Sequence, residues 1–345
     1  HVWAVDAAPM QFASVVGVYG LSFFTALFAT LPAAVIAGAR GRVAALAGVL
    51  IAVGLWGGGA LRLEMVAPDS SDMQLSDLSP DVPVVQIVQP NIPQRDKWRP
   101  ELQNQHFTLL LEMSRRPKDM NPAQKRIVIW PETAATFFVE TQTAARMQMA
   151  EMLGPNDILI TGAPRTYPRD TDVYKVWNAI QVIDASGDIV ASFDKFHLVP
   201  FGEYVPFRSI LPFPKLTEGR TDFSAGPGPQ TLVVNGLPSF SPLICYEVIF
   251  PGAVIDDENR PDWLLNVTND GWFGNSAGPY QHMVAARFRT VEEGRPLVRA
   301  AYTGISAMFD SYGRKVAELP LSTADILVHP LLGDKNHTTV YYLWR

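Results

Sequence analysis

Cys245, in SPLICYEVIF (241–250), is the only cysteine among 345 residues. One cysteine makes no intramolecular disulfide, so it is either a small apolar packing residue or a thiol kept for its chemistry. It ends an apolar run and precedes residues able to open a helix after a sharp turn, as in a nucleophile elbow. At a helix N-terminus its pKa is expected to fall and its thiolate fraction to rise. A cysteine nucleophile also needs a base and an oxyanion partner. The six histidines are scattered, with no spacing that suggests a Cys/His dyad or a metal site. Carboxylates at strand ends are better candidates. IVIWPET places Glu132 just after an apolar strand and a proline that stops it. SFDKFHLVPFGEYVPF supplies Lys195 and Glu203 in a stretch that is otherwise aromatic and apolar. Singly, each has an ordinary reading as a solvated glutamate, a surface lysine or a packed cysteine.

The elements that must position these groups divide early in the chain. Residues 12–39 contain no charge and are long enough to cross the ~30 Å hydrocarbon core, for which about 20 helical residues suffice. Residues 43–60 are long enough for a second crossing and end in glycines expected to loosen the helix. Arg40 and Arg42 lie in the turn between them, and positive charge in short loops stays on the cytoplasmic side. Everything from Arg62 onward is then expected outside, in an oxidising compartment where a lone thiol needs a reason. The net charge of −6, with no block of lysine or arginine, excludes nucleic acid as a partner.

We read residues 1–65 as a membrane segment, 66–80 as a polar linker, 81–334 as one domain and 335–345 as a tail. Short β-rich runs at 82–90, 126–130, 157–162, 176–184, 188–193, 231–235, 240–246, 262–267, 297–302 and 306–311 predict strands. Apolar residues at helical spacing predict helices at 101–116, 144–153 and 281–294. The mixture indicates a layered α/β fold. The proline-rich stretch 199–215, with Phe201 and Phe207, reads as an apolar arm over the site, dipping toward lipid.

WPE, DKFHLVPFGE and ICYE, in that order, resemble the three motifs of the nitrilase, or carbon–nitrogen hydrolase, superfamily. The longer strings QPNIPQRDKW, KFHLVPFGEYVPF, ICYEVIFP and NVTNDGWFGNSAGPYQHMVAARFRTVEEGRPLVRAAYTGISA resemble its membrane-embedded branch, the apolipoprotein N-acyltransferases, from about Val15 to about Asp334. The resemblance implies a four-layer αββα sandwich preceded by two transmembrane helices. It implies Glu132 as base, Cys245 as nucleophile and Lys195 as the cation beside the oxyanion, helped by the N–H of Tyr246. Glu203 would orient Lys195 or the amine, while Tyr246 and Glu247 shape the nucleophile loop. Asn91, Trp98 and Trp272 fall in matching motifs and would position substrate. The implied reaction carries an acyl chain from a phospholipid, through a thioester, to the N-terminal amine of a diacylglyceryl-cysteine apolipoprotein, with no cofactor and no metal. The implied setting is the bacterial inner membrane, in a multi-pass protein whose catalytic domain faces the periplasm. Further transmembrane helices are expected before His1 and after Arg345. Two rival readings share these features: a membrane-tethered amidase or nitrilase with water as acceptor, and a catalytically inactive nitrilase-like binding module.

Overall fold

The structure, a computed structural model, describes residues 7–66, 78–166, 175–206, 222–331, 333 and 337–345. The uncharged beginning of the chain is helical, the conformation that satisfies every backbone group within its own segment. Helices α1 (Ala7–Met10), α2 (Ala13–Ala29), α3 (Leu31–Ile36) and α4 (Ala39–Glu64) follow one another. The span Ala13–Ile36 and the span Ala39–Glu64 are each long and apolar enough to cross a membrane. Their outward faces carry exposed Phe23, Ile36, Val43 and Leu50. The glycines near 57–59 do not loosen α4, which runs on to Glu64. Gly59 lies against α1, where a Cβ would come within 1.9 Å of the Ala8 carbonyl oxygen, so glycine is what lets the two helices touch.

Strand β1 (Val84–Gln89) is followed by α5 (Gln94–Lys97), α6 (Gln103–Met113), β2 (Arg126–Ile129), α7 (Thr143–Glu151), β3 (Ile158–Thr166), β4 (Val176–Asp184) and β5 (Ile189–Asp194). Then come β6 (Phe240–Ile244), β7 (Trp263–Thr268), α8 (Gly278–Glu293), β8 (Leu297–Ala301), β9 (Ser306–Phe309), β10 (Lys315–Leu319), β11 (Asp325–Pro330) and α9 (Val340–Trp344). Six strands form one sheet in the order β11-β1-β2-β3-β4-β5, and five form another in the order β10-β9-β8-β7-β6. The strands β1, β2 and β3 run parallel, as do β6, β7 and β8.

Alternation along the strands sorts the side chains into layers. Ile127 and Ile129 join Ile180, Val182, Leu265, Val267 and Val298 in a core between the two sheets. Val128 and Trp130 point the other way, toward Leu110 of α6 and Met149 of α7. On the far side of the second sheet, Leu243, Leu264 and Leu297 meet Ala286 of α8. The domain is therefore the expected αββα sandwich. Residues 231–235 are not a strand and make only one bridge, Leu232 with Phe240. Conversely β10 and β11, outside the predicted strands, are sheet-edge strands with part of their length exposed, so their apolar pattern is diluted.

The apolar helices at the start of the chain dock on α8. Met10, Ala13 and Leu21 pack with Phe288 and Val291. At Gly17, with φ 68°, α2 breaks, and the N–H of Val18 beside the break donates to Glu292 Oε1 at 2.7 Å. Arg62, near the end of α4, donates to the side chain of Gln11 and shares a hydrogen bond with His337. The domain thus holds the start of α2 and the end of α4, whereas Arg40 and Arg42 lie at the opposite end of the pair.

Candidate active site

The carboxyl ends of strands from both sheets converge, which is where open α/β sheets build their sites. After β2 the chain turns at Pro131, and Glu132 is presented beside Thr133, whose φ is 45°. Gly162 of β3 lies under this turn, where a Cβ would come within 2.5 Å of both the Pro131 carbonyl oxygen and the Thr133 nitrogen. Glu132 Oε1 accepts from Asn178 Nδ2 at 2.8 Å, and Oε2 accepts from the backbone N–H of Asn269 at 2.8 Å. The same Asn178 amide donates to Glu203 Oε1 at 2.8 Å. Lys195, just past β5, lies 3.0 and 2.9 Å from the two Glu203 oxygens and 3.7 Å from Glu132 Oε1. Glu132, Lys195 and Glu203 are all buried.

Cys245 follows β6 with φ 51°, a left-handed backbone that a non-glycine residue adopts only when its surroundings hold it there. The expected elbow is present, but it leads into a five-residue 3-10 turn, Cys245–Ile249. Buried Glu247 secures that turn: Oε2 accepts from Ile244 N–H at 2.7 Å, while Oε1 accepts from Phe196 and His197 N–H at 2.7 and 3.1 Å. The nucleophile loop and the lysine loop are thereby tied together. On the other side, His282 Nε2 lies 3.1 Å from the Cys245 carbonyl oxygen and its Nδ1 lies 2.8 Å from Asp270 Oδ1. Arg299 donates to Asp270 Oδ2 at 2.6 Å and also to Asn266.

The charges do not lower the Cys245 thiol as the helix-terminus argument expected. Burial pushes it up to about 12, Glu132 and Asp270 add to the rise, and Lys195 with a Thr268 hydrogen bond offsets only part. One short turn contributes too little dipole to outweigh desolvation and a neighbouring carboxylate. Burial works against the ammonium of Lys195, yet Glu203 first and then Glu132 and Cys245 raise its pKa, so it stays charged. Burial lifts Glu247 to about 7. Asp270, despite burial, is held at about 2 by Arg299 and His282.

The remaining predicted residues are dispersed. Half-buried Asn91, at φ 50°, turns the chain after β1 and donates from Nδ2 to the Ser322 carbonyl at 2.7 Å. Trp98 caps α5 and is half-buried. Trp272 is exposed, as is its neighbour Phe273. Tyr246 is half-buried and meets Phe250 edge-on at 4.9 Å. Phe201, with φ 61°, is exposed, and Phe207 lies outside the described residues with most of the 199–215 arm. Sequence reasoning missed Asn178, Asn269, Lys97 and the His282–Asp270–Arg299 chain. Lys97, Asn269, Asp270, His282 and Arg299 fall inside the quoted motifs, which was their only signal, whereas Asn178 reads as the interior of a strand and carried none.

A sandwich of this kind, with a buried glutamate and lysine beside a half-buried cysteine at converging strand ends, defines a class. The chain belongs to the carbon–nitrogen hydrolase family, which matches residues 84–331. Among solved structures it is similar to an amidase of Nesterenkonia from the nitrilase superfamily, with a TM-score of 0.53 and 18% identity over 78% of this chain and 95% of that one. Within the family it is similar to the apolipoprotein N-acyltransferase of Rhodopseudomonas palustris, 40% identical over 92% of this chain and 60% of that protein. The same enzyme of Bradyrhizobium diazoefficiens is also 40% identical, again over 92% of this chain and 60% of its own. The chain spans about 60% of the length of the curated relatives it matches.

Proposed function

We propose that this chain carries the catalytic domain of an apolipoprotein N-acyltransferase. The observation that carries the reading is a single half-buried thiol beside Glu132 and Lys195, the lysine held by Glu203, in a domain docked directly on apolar helices. Lipid supplies an acyl donor at that position, and the names of the curated relatives support an apolipoprotein amine as acceptor.

A thiol near pKa 12 does not ionise by itself at neutral pH, so its proton has to be taken as attack begins. Glu132 takes it, and Cys245 sulfur bonds to the ester carbonyl carbon of the phospholipid. The oxyanion that forms faces the Lys195 ammonium and the Tyr246 N–H. The intermediate collapses by breaking the carbon–oxygen ester bond. The leaving alkoxide takes the proton from Glu132 and departs as lysophospholipid, leaving a Cys245 thioester. The acceptor amine then attacks the thioester carbon, Glu132 accepts a proton from the amine, and the released thiolate is reprotonated as the amide leaves. Charge on Lys195 is present throughout, so no proton on it has to move. Arg40 and Arg42 support a topology in which the opposite, domain-bearing face is the periplasmic side of a bacterial inner membrane.

The test supplies the protein with acyl-labelled phospholipid and no acceptor. Label should accumulate on Cys245 and be absent from Cys245→Ala. A diacylglyceryl peptide should discharge it into an amide. Glu132→Gln and Lys195→Ala should each slow loading by at least a thousandfold. Label in Cys245→Ala equal to wild type would refute the thioester. Discharge by water as fast as by peptide would make the protein a hydrolase.

A further inference from the structure

Lys97, the last residue of α5, is fully buried although it makes no ion pair among the described residues. Its Nζ donates to the main-chain carbonyl of Glu132 at 2.9 Å and stands 3.9 Å from the centre of the Tyr302 ring. Burying an ammonium against a neutral carbonyl and an aromatic face is costly, and a methionine would fill the same volume without that cost. Burial indeed draws its pKa down to about 7, with Glu132 first and Cys245 second in holding it up.

What the ammonium grips is the turn that presents the base. That turn is strained at Thr133 and pressed by β3 at Gly162, so a hydrogen bond to its carbonyl limits its remaining freedom. The charge-assisted hydrogen bond is stronger than a neutral donor would make, and the Tyr302 face fixes where its donor sits.

We propose that Lys97 is the positioning residue of Glu132, an ammonium clamp on the base turn that holds its carboxylate where it takes the Cys245 proton. The inference rests on the base role given to Glu132 above.

Because Cys245 is the only cysteine, its rate of alkylation by iodoacetamide reports proton removal from the thiol without any lipid. Lys97→Met should slow both alkylation and acyl loading at least tenfold, with KM for phospholipid unchanged, and Lys97→Arg should recover most of the loss. The double variant Lys97→Met with Glu132→Gln should alkylate no slower than Glu132→Gln alone, since a clamp has nothing to hold once the base is gone. Should Lys97→Met fail to fold, Lys97→Gln, which keeps a donor without the charge, takes its place in the same cycle. Alkylation at the wild-type rate in the folded variant, or losses that multiply in the double variant, would overturn the proposal. A wild-type protein that alkylates readily but never takes an acyl group from phospholipid would sink the transferase reading and leave this one standing.

Discussion

Two carboxylates, Glu132 and Glu203, share one amide and one ammonium. Like charges so close repel, and the donors separate their duties. Glu203 has both oxygens near the Lys195 ammonium and a further bond from Val199 N–H, which fixes it as the partner of the lysine. Glu132 meets that lysine only at 3.7 Å, so its carboxylate remains the better placed to accept a proton. Asn178 is the hinge of this division. Asn178→Leu keeps the volume but leaves two buried acceptors short of a donor, which costs about 1–3 kcal/mol of stability. Acyl loading should fall roughly a hundredfold or more, equivalent to about 2.7 kcal/mol of barrier, measurable by single-turnover labelling alongside a melting curve. Loading at the wild-type rate would show that the asparagine merely fills space. Glu132, Lys195 and Cys245 were readable in the sequence because each follows an apolar strand, where a polar residue stands out. Asn178 lies inside VWNAIQVID, where period-two alternation accounts for a polar residue equally well, and only the pairing of β4 with its neighbours brings it to the carboxylates.

Helix α8 links the two parts of the protein. Near its start His282 reaches the Cys245 carbonyl, and at its end Glu292 and Glu293 are buried beside α2 and α9. Burial raises Glu293 to about 7 and Glu292 adds to the rise, while Arg345, 3.4 Å away, offsets part of it. The folded protein therefore keeps a proton that the unfolded chain releases near 4.5. This group's stabilisation is full below about pH 4.5 and is lost as pH rises through about 7. Glu293→Gln, neutral throughout, should melt with the wild type at about pH 4 and a few degrees above it at about pH 8, a gap of roughly 1–3 kcal/mol. A gap that closes toward high pH would contradict the burial argument. The periodicity of residues 281–294 made α8 legible, because one apolar face repeats through its turns. The edge strands β10 and β11 were not legible, since partly solvated strands need little apolar sequence. TLVVN failed in the other direction, being β-rich with no neighbour to complete a ladder.

At the scale of the molecule, the direction of the helical pair sets which side of a membrane the domain occupies. Arg40 and Arg42 stand at one end and the domain at the other. In inside-out vesicles a membrane-impermeant thiol reagent should leave Cys245 unmodified, and in spheroplasts it should modify it; the reverse pattern would invert the topology and overturn the proposed lipoprotein acceptor with it. The docking also has a practical consequence for anyone wanting the domain without detergent. Cutting the chain in the 66–80 segment would strip Met10, Ala13 and Leu21 from Phe288 and Val291 and leave an apolar patch open to water. It would also remove the Val18 N–H from Glu292 Oε1, leaving that carboxylate with its Arg289 ion pair at the edge of the patch. A water-soluble version accordingly calls for redesign of this seam, with polar residues in place of Phe288 and Val291 and a neutral residue at Glu292, because in this protein the apolar helices also serve as one wall of the domain's own interior.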